Sequence, residues 1–466
     1  MYIDTDYLIV GAGASGLAFA DSLLAETDVD VVLVDRRNHP GGHWQDAYPF
    51  IRLHAASAYY GVNSLSLGKD QLTETGRNAG FYEQAGAAEI CAYFETVCER
   101  LTSTGRVKFL AEHDHLGGDG DEHQVRDLRS GDLDTVRVRR SVVDARYLEG
   151  TIPATHQPAF TRAPEANFIP VNDLPDVADS YQHFTIIGAG KTSADACLWL
   201  LDQAVSPEQI RWIRPRDAWF IDRASLQPLD QVAALMEGIS YDAEAAAQAT
   251  DLIDCFERLE DRGRVMRLDP SVSPTMFRAT MLSRHELNDL REILDVVRLG
   301  RVRAIESDRI VFDDGELPTS ADVLHVDCSA RGLSGAVPVP VFGHGQIVLQ
   351  QVRQSSPTFN AALIAFVEAH REHHDEKNQL CPPTPVPSHI KEWGPLMSRT
   401  WAAEQIWLKE PDIVSWIAAS RLNILRALPE HAHEPRAQQA FARFLTNVGP
   451  AIERHSPAAG ARPPGW

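Results

Sequence analysis

The sequence predicts an α/β protein with two parallel β-sheets. Two segments carry this prediction, because each has the pattern of a short apolar strand, a glycine-rich turn and a helix. The strands span residues 6–10 and 184–187. A chain of 466 residues is long enough for two or three domains, each with its own core.

The first glycine-rich turn, Gly-Ala-Gly-Ala-Ser-Gly, occupies residues 11–16 and precedes a helical pattern over 17–24. Its first glycine permits the tight turn, its second lets the backbone approach a pyrophosphate, and its third allows close packing of helix on strand. The N–H groups at the start of the helix would face the phosphates. We therefore predict a dinucleotide site with contacts from Gly11, Gly13, Ala14, Ser15 and Gly16.

The strand predicted over 29–34 is followed by Asp35, which lies 19 residues beyond Gly16. A carboxylate at this spacing hydrogen-bonds a ribose hydroxyl in Rossmann-like dinucleotide-binding domains. Strand, turn, helix and acid together favour such a domain over an incidental glycine-rich turn.

The second turn, Gly-Ala-Gly-Lys-Thr-Ser-Ala, occupies residues 188–194 and opens a helix over 195–201. Alanine is accepted at the third position of this motif, so a second Rossmann-like domain is predicted. A nucleoside-triphosphatase phosphate loop would require glycine at position 185, where the chain has Thr185. The predicted cofactor contacts are Gly188, Gly190, Lys191, Thr192 and Ser193.

The strand predicted over 209–213 ends in Arg214-Pro215-Arg216 and has no acid at its tip. Arginine can pair with a 2′-phosphate, whereas a carboxylate there would favour NADH. We therefore predict NADPH, with contacts from Arg214 and Arg216. Two solvated arginines after a strand remain the alternative.

The segment that follows Asp35 indicates which dinucleotide the first site takes. Residues 36–44, Arg-Arg-Asn-His-Pro-Gly-Gly-His-Trp, and then Tyr48-Pro49 resemble the corresponding segment of class B flavin-dependent monooxygenases, which include flavin-containing and Baeyer-Villiger monooxygenases. The resemblance implies FAD at the first site, lined by Arg36, Gly42, His43 and Trp44. An ordinary loop with a core tryptophan is the alternative.

The resemblance also implies a reaction. NADPH would pass a hydride to the flavin, the reduced flavin would trap oxygen as a C4a-(hydro)peroxide, and a small or natural-product-like molecule would be oxygenated. The partners expected are therefore a small-molecule substrate and molecular oxygen.

Three features depart from the Baeyer-Villiger pattern. Three residues separate Trp44 from Tyr48 instead of four, His54 stands where that group has aspartate, and residues 168–174 lack the glycine and histidine of the FxGxxxH fingerprint. A flavin reductase, dehydrogenase or oxidase, or a redox-sensing binding protein without turnover, therefore stays open beside the monooxygenase. His54 is the candidate catalytic residue because the ordinary histidine pKa is near neutrality, with a packing role as the alternative.

The resemblance implies an FAD domain interrupted by the NAD(P) domain. We assign residues 1–175 and 325–355 to the FAD domain and 176–324 to the NAD(P) domain. The crossovers between them, in 141–147 and 321–330, place Ala145 and Asp327 at the cofactors. A hairpin is predicted over 302–316 with its turn at Asp314-Gly315.

Three further segments complete the predicted organisation. A helical insertion is predicted at about 229–299, where it would either cap the active site or form a homodimer surface. A mainly helical region with a proline-rich break at 381–387 is predicted over 356–455, and a flexible tail over 456–466.

Composition excludes several other classes. Acidic residues outnumber Lys and Arg by 65 to 44, which argues against a nucleic-acid or anionic-membrane partner. We find no run of about 18 apolar residues and no signal peptide, so we expect a cytoplasmic protein. The six cysteines have no CxxC spacing, which weighs against disulfide reduction. His370, His373 and His374 lack placed partner ligands, so no metal site is predicted.

Overall fold

The computed structural model describes residues 2–332, 336–354 and 357–456. The N-terminal part forms β1 (Tyr2–Val10), α1 (Ala14–Glu26), β2 (Val31–Asp35), β3 (Gly61–Val62), β4 (Leu65–Ser66), α2 (Ala87–Ser103), β5 (Val107–Ala111), β6 (His113–Asp119), β7 (Glu122–Asp127) and β8 (Leu133–Asp144).

The middle of the chain forms β9 (Thr161–Arg162), β10 (Phe168–Pro170), α3 (Leu174–Val177), β11 (His183–Ile187), α4 (Lys191–Asp202), β12 (Ile210–Ile213), β13 (Ala218–Asp222), α5 (Val232–Gln248), α6 (Leu252–Asp261), β14 (Val265–Arg267), β15 (Met276–Leu282), α7 (Arg284–Arg291), β16 (Asp295–Val297), β17 (Val302–Ile305), β18 (Arg309–Phe312), β19 (Gly315–Pro318) and β20 (Val323–Asp327).

The C-terminal part forms β21 (Phe342–Gly343), β22 (Gln346–Val348), α8 (Pro357–His370), α9 (His374–Leu380), α10 (Trp393–Trp407), α11 (Pro411–Ala419), α12 (Leu428–His431) and α13 (Pro435–His455).

The first sheet has the strand order β21-β22-β8-β1-β2-β5, and the hairpin β6-β7 extends it from β8. From β22 to β5 the strands are parallel. Alternate residues of β1 enter two cores: Tyr7 and Ile9 share one with residues of α1 and α8, whereas Leu8 and Val10 pack with β7 and β8. Burial on both faces explains why β1 is continuously apolar.

The second sheet has the order β10-β20-β11-β12-β16, and all of its pairings are parallel. Helix α4 crosses from β11 to the neighbouring β12. The predicted fold class, with two Rossmann-like units, is confirmed.

Strand pairing corrects both predicted domain boundaries. β10 lies before position 175 and β20 spans position 325, yet both strands pair in the second sheet. The chain returns to the first sheet at β22, which pairs with β8. Both sheets use short apolar parallel strands, so the sequence pattern does not reveal to which sheet such a strand belongs.

The predicted helical insertion at 229–299 is only partly helical. It contains α5, α6 and α7, but β14 and β15 flank β13 in a separate small sheet, and β16 is the edge strand of the second sheet. A short apolar run does not distinguish a buried strand from a helix segment, which is why β15 was missed.

The predicted hairpin at 302–316 is part of a meander. Its turn at Asp314 joins β18 and β19 as expected, and an additional turn over 306–308 separates β17 from β18.

The C-terminal region is mainly helical as predicted. Helix α13 packs along α5, and Trp393, Met397 and Trp401 of α10 share a core with Trp219 of β13 and with Phe256 and Phe277 of the insertion. Residues 457–466 of the predicted tail lie outside the described residues. Among the helices described, we find none with the length and apolar character to cross a membrane.

Candidate dinucleotide sites and the cleft between them

The first glycine-rich turn lies at the carboxyl end of β1. A Cβ atom on Gly16 would stand 2.0 Å from the carbonyl oxygen of Gly11, so this position requires glycine. Helix α1 has no side-chain N-cap and no acidic residue in its first turn. Its first N–H groups, including those of Ala14 and Ser15, are therefore available to an anion.

Asp35 ends β2 beside this turn and is 6% exposed. Its carboxylate accepts the backbone N–H of Ala12 at 2.7 Å and that of Arg37 at 2.9 Å. Asp35 borders a small cavity together with Gly11 and His115. The carboxylate thus lies where a ribose hydroxyl could add a further hydrogen bond.

Two other predicted contacts flank the same cavity or turn. Arg36 lines the cavity, but its guanidinium pairs with Glu149 at 2.9 Å. The Ala145 N–H donates to Val10 at 3.0 Å, and the methyl group of Ala145 packs against the turn.

The loop containing Gly42, His43 and Trp44 folds directly onto the first turn. A Cβ atom on Gly42, where φ is +61°, would lie 2.9 Å from the Gly13 Cα. The His43 side chain is exposed, whereas Trp44 is buried and donates its indole N–H to the Tyr60 hydroxyl at 2.8 Å. Trp44 therefore packs in the core beside the first turn, and its contact with FAD stays a prediction.

Helix α8 packs along α1, and its last residue, His370, hydrogen-bonds Glu26 at the end of α1 at 2.9 Å, so the N-terminus of α8 lies at the same end as the first turn. The Thr358 hydroxyl, in the first turn of α8, is buried and has no hydrogen-bond partner among the described residues. A polar ligand atom would satisfy it. This orphaned hydroxyl and the glycine cradle fit an extended dinucleotide such as FAD.

The second glycine-rich turn joins β11 to α4. A Cβ atom on Gly188 would stand 2.4 Å from the Cys328 carbonyl oxygen, whereas one on Gly190 would meet no atom of another segment within 4 Å. Helix α4 also lacks a side-chain N-cap and an acidic first turn. The Ser193 hydroxyl donates to the Gly190 carbonyl at 2.8 Å. Open space at Gly190 therefore leaves room for a pyrophosphate.

The two sites meet through Tyr48, which sequence reasoning used only as part of a motif. Its hydroxyl donates to Asp195 on α4 at 2.7 Å and also bonds Thr192. Lys191 forms an ion pair with the same carboxylate. The segment after the first turn thus contacts the helix that opens the second site.

The structure separates the two arginines predicted to bind a 2′-phosphate. Arg214 is 4% exposed, lies 4.9 Å over the Trp212 ring and pairs with Asp217 at 3.5 Å. This corrects its assignment as a phosphate contact. Arg216 is exposed, and its guanidinium has no ion pair within the described ranges.

Asp327 ends β20 in the second sheet, and not in the first domain. Its carboxylate accepts the Ser329 N–H at 2.9 Å and the Ser329 hydroxyl at 2.6 Å. The aspartate therefore shapes the turn after β20, beside Gly188.

His54 follows the segment that contacts the second site, and its carbonyl oxygen accepts the Arg223 Nε–H at 3.2 Å. Burial, and then the charges of Lys191 and Arg223, lower the pKa of His54 to about 3. The expectation of a near-neutral pKa is therefore wrong, and the imidazole is neutral at physiological pH.

Sequence reasoning missed the ion pair that underlies His54. Arg223, 2% exposed, pairs with Glu286 at 2.7 Å, and Asn78 hydrogen-bonds both side chains. Ser283 and Glu286 form a capping box at the start of α7, and this sequence pattern predicts the start of a helix. Nothing in the sequence pairs this glutamate with Arg223.

The neutral state of His54 gives a testable pH dependence. Between pH 5 and 8, the rate of flavin reduction should show no ionisation that depends on His54, because its pKa lies below this window. The measurement is anaerobic reduction by NADPH against pH, for the unmodified protein and for His54→Gln. A step near about pH 6.5 that disappears in the variant would contradict the neutral assignment.

Residues 9–63 match the model of a NAD(P)-binding Rossmann-like domain. The uncharacterized proteins Rv2000 of Mycobacterium tuberculosis and Mb2023 of Mycobacterium bovis are each 42% identical to this chain, over 98% of it and 86% of their own length. The chain belongs to the family of these mycobacterial proteins.

Among solved structures, the fold of this family member is similar to flavin monooxygenases. A steroid monooxygenase bound to NADP matches with a TM-score of 0.49 and 16% identity, covering 98% of both chains. The closed form of a cyclohexanone monooxygenase matches with a TM-score of 0.49 and 13% identity, covering 94% of this chain and 99% of its own. A flavin-containing monooxygenase from Stenotrophomonas maltophilia matches with a TM-score of 0.47 and 15% identity, covering 79% of this chain and 98% of its own.

Proposed function

We propose that this protein is an oxidoreductase that uses FAD and NADPH in the cleft between its two dinucleotide turns. The observation that supports this most directly is the contact of Tyr48 with Asp195 and Thr192, since it joins the segment after the first turn to the helix that opens the second site. A hydride donor at the second site would then face an acceptor at the first.

The residues that would hold FAD are those of the first turn, Asp35 and the loop at Gly42. NADPH would lie over Gly190 and the N-terminus of α4, with Arg216 near its 2′-phosphate. Bound FAD supplies hydride acceptance and electron transfer that amino-acid side chains lack.

The chain's own side chains would orient the bound cofactors and stabilise negative charge on them. A neutral His54 offers one donor and one acceptor for hydrogen bonds, and Arg223 fixes the backbone that carries it. The Thr358 hydroxyl and the positive end of the α8 dipole would stabilise negative charge at the first site.

The specific reaction proposed is monooxygenation of a small or natural-product-like molecule by oxygen. The support is the GGxW segment and its placement against the first turn. A reductase, dehydrogenase or oxidase is the second candidate, because His54 stands where the Baeyer-Villiger pattern has an acid, and its pKa of about 3 leaves it uncharged.

The fate of oxygen distinguishes these two candidates. The purified protein is supplied with NADPH, isotopically labelled oxygen and a panel of small ketones, amines and sulfides. Monooxygenation predicts labelled product from at least one compound class, with less hydrogen peroxide than NADPH consumed. Hydrogen peroxide equal to NADPH consumed for every compound, without labelled product, would contradict monooxygenation and favour the second candidate.

A further inference from the structure

Four arginines gather around the carboxyl edge of the second sheet. Arg216 follows β12, Arg301 follows β16 and Arg331 follows β20, while Arg278 extends from β15 of the neighbouring small sheet. Parallel strands end at one edge, and ligands of α/β proteins bind outside that edge. The second glycine-rich turn, at Gly188, lies at the same edge.

Direct contacts and exposure define the cluster. Arg278 donates from Nη1 to the Arg331 carbonyl at 2.7 Å, so the two segments are joined. Each of the four residues is exposed to solvent over part of its surface. Across residues 2–332, 336–354 and 357–456, we find no carboxylate within ion-pair distance of any of the four guanidinium groups.

The charges of these arginines act on one another. Burial, and then Arg301 and Arg331, lower the pKa of Arg216. Burial, and then Arg216 and Arg331, lower the pKa of Arg278, which Glu392 opposes. Asp313 accepts the backbone N–H of Arg301 at 2.8 Å. Repulsion among clustered cations costs free energy that a bound anion would remove.

The strand that carries Arg278 is irregular at this point. The pairing of β13 with β15 shifts register after Phe277, and Ala279 has φ of +53°. A left-handed alanine is strained, and bulges with strained residues commonly re-aim side chains at binding sites. The irregularity therefore places Arg278 in the cluster at a cost to local stability.

We propose that Arg216, Arg278, Arg301 and Arg331 form one binding site for a phosphate monoester dianion. Guanidinium groups bind phosphate through paired hydrogen bonds, and several of them can surround its three oxygens. The phosphate can belong to a phosphorylated substrate or to the 2′-position of NADPH. The second source rests on the proposed function, and the first does not.

Calorimetric titration of the full chain tests the site, with 2′,5′-ADP and ADP as probes. Because 2′,5′-ADP carries a monoester on the ribose, it should bind at least about tenfold more tightly than ADP. Arg278→Ala and Arg301→Ala should each weaken 2′,5′-ADP binding by about tenfold, and Arg278→Lys by less. Arg309→Ala is the control, since Arg309 lies on the same meander but pairs with Glu306. The affinity of this variant for 2′,5′-ADP should equal that of the unmodified protein.

Phenyl phosphate then identifies the source of the phosphate. If saturating NADPH prevents phenyl phosphate from binding, the site serves the dinucleotide. If phenyl phosphate binds in the presence of NADPH and is weakened by Arg278→Ala, the site serves a substrate. Equal affinity of the unmodified protein and both alanine variants for 2′,5′-ADP and phenyl phosphate, with unchanged thermal unfolding, would overturn the proposal. Failure of NADPH to reduce the flavin would instead refute the proposed function and leave this site standing.

Discussion

A Gly16→Ala variant is expected to purify without FAD and with reduced stability. The added methyl group would stand 2.0 Å from the Gly11 carbonyl oxygen, and the clash lies between two backbone segments that cannot both yield. We expect a loss of at least about 3 kcal/mol in the free energy of unfolding, the upper end of overpacking effects. Visible flavin absorbance after purification and chemical unfolding measure the two consequences.

Gly13→Ala is the matched control for this variant. Its Cβ would lie 3.5 Å from the Gly42 Cα, an ordinary contact, and the backbone of Gly13 is extended. This variant should fold normally and lose FAD affinity, because the methyl group would stand where the pyrophosphate approaches. Unchanged stability and full FAD content in Gly16→Ala would contradict the assigned role of the turn.

An Arg223→Leu variant is expected to lose about 3–5 kcal/mol of stability, because it leaves Glu286 buried without its partner. Replacing both residues with leucine should recover much of the loss, since no charge then remains buried. Urea unfolding of the two variants and the unmodified protein measures the difference. Equal stability of the single and double variants would contradict the pairing.

The same ion pair predicts a pH dependence. Burial raises the pKa of Glu286, but the charges of Arg223 and Lys191 outweigh burial and hold it below the ordinary value of 4.5. A lowered folded-state pKa contributes stability above the unfolded pKa, and this stability is lost as pH falls through the folded pKa. In Arg223→Leu the burial of Glu286 remains while the arginine charge is gone, so Glu286 takes up a proton at a higher pH than it does in the unmodified protein. The stability difference between the two proteins should therefore narrow as pH falls from neutrality through the lowered pKa of Glu286 in the unmodified protein.

Local patterns predicted the two dinucleotide turns because their spacing is set by backbone chemistry. A glycine that must approach another backbone, as Gly16 does, leaves a signal in the sequence itself. The sequence alone did not show which of Arg214 and Arg216 is free to bind a phosphate. Trp212 and Arg214 are two residues apart and share a face of the strand, so Arg214 continues into the buried stack.

Contacts between distant segments were not predictable from one sequence. Arg223, Asn78 and Glu286 come from three parts of the chain, and none has a motif that names its partner. The cluster around Arg278 depends on a bulge in a strand whose pattern had indicated a helix. Tyr48 was visible within a motif, but its contact with Asp195 follows from the packing of the two sites.

Anaerobic titration with NADPH, followed by the visible flavin spectrum, tests the central claim most directly. The purified protein should lose its flavin absorbance with NADPH. A Gly190→Val variant should need an NADPH concentration about 100-fold higher for the same loss of absorbance, because the valine side chain would enter the open space assigned to the pyrophosphate. The backbone of Gly190, with φ of −100°, accepts valine without strain. Dithionite should reduce both proteins equally. A flavin-containing protein whose absorbance does not change with NADPH or NADH, or a Gly190→Val variant reduced at the same NADPH concentration, would contradict the account.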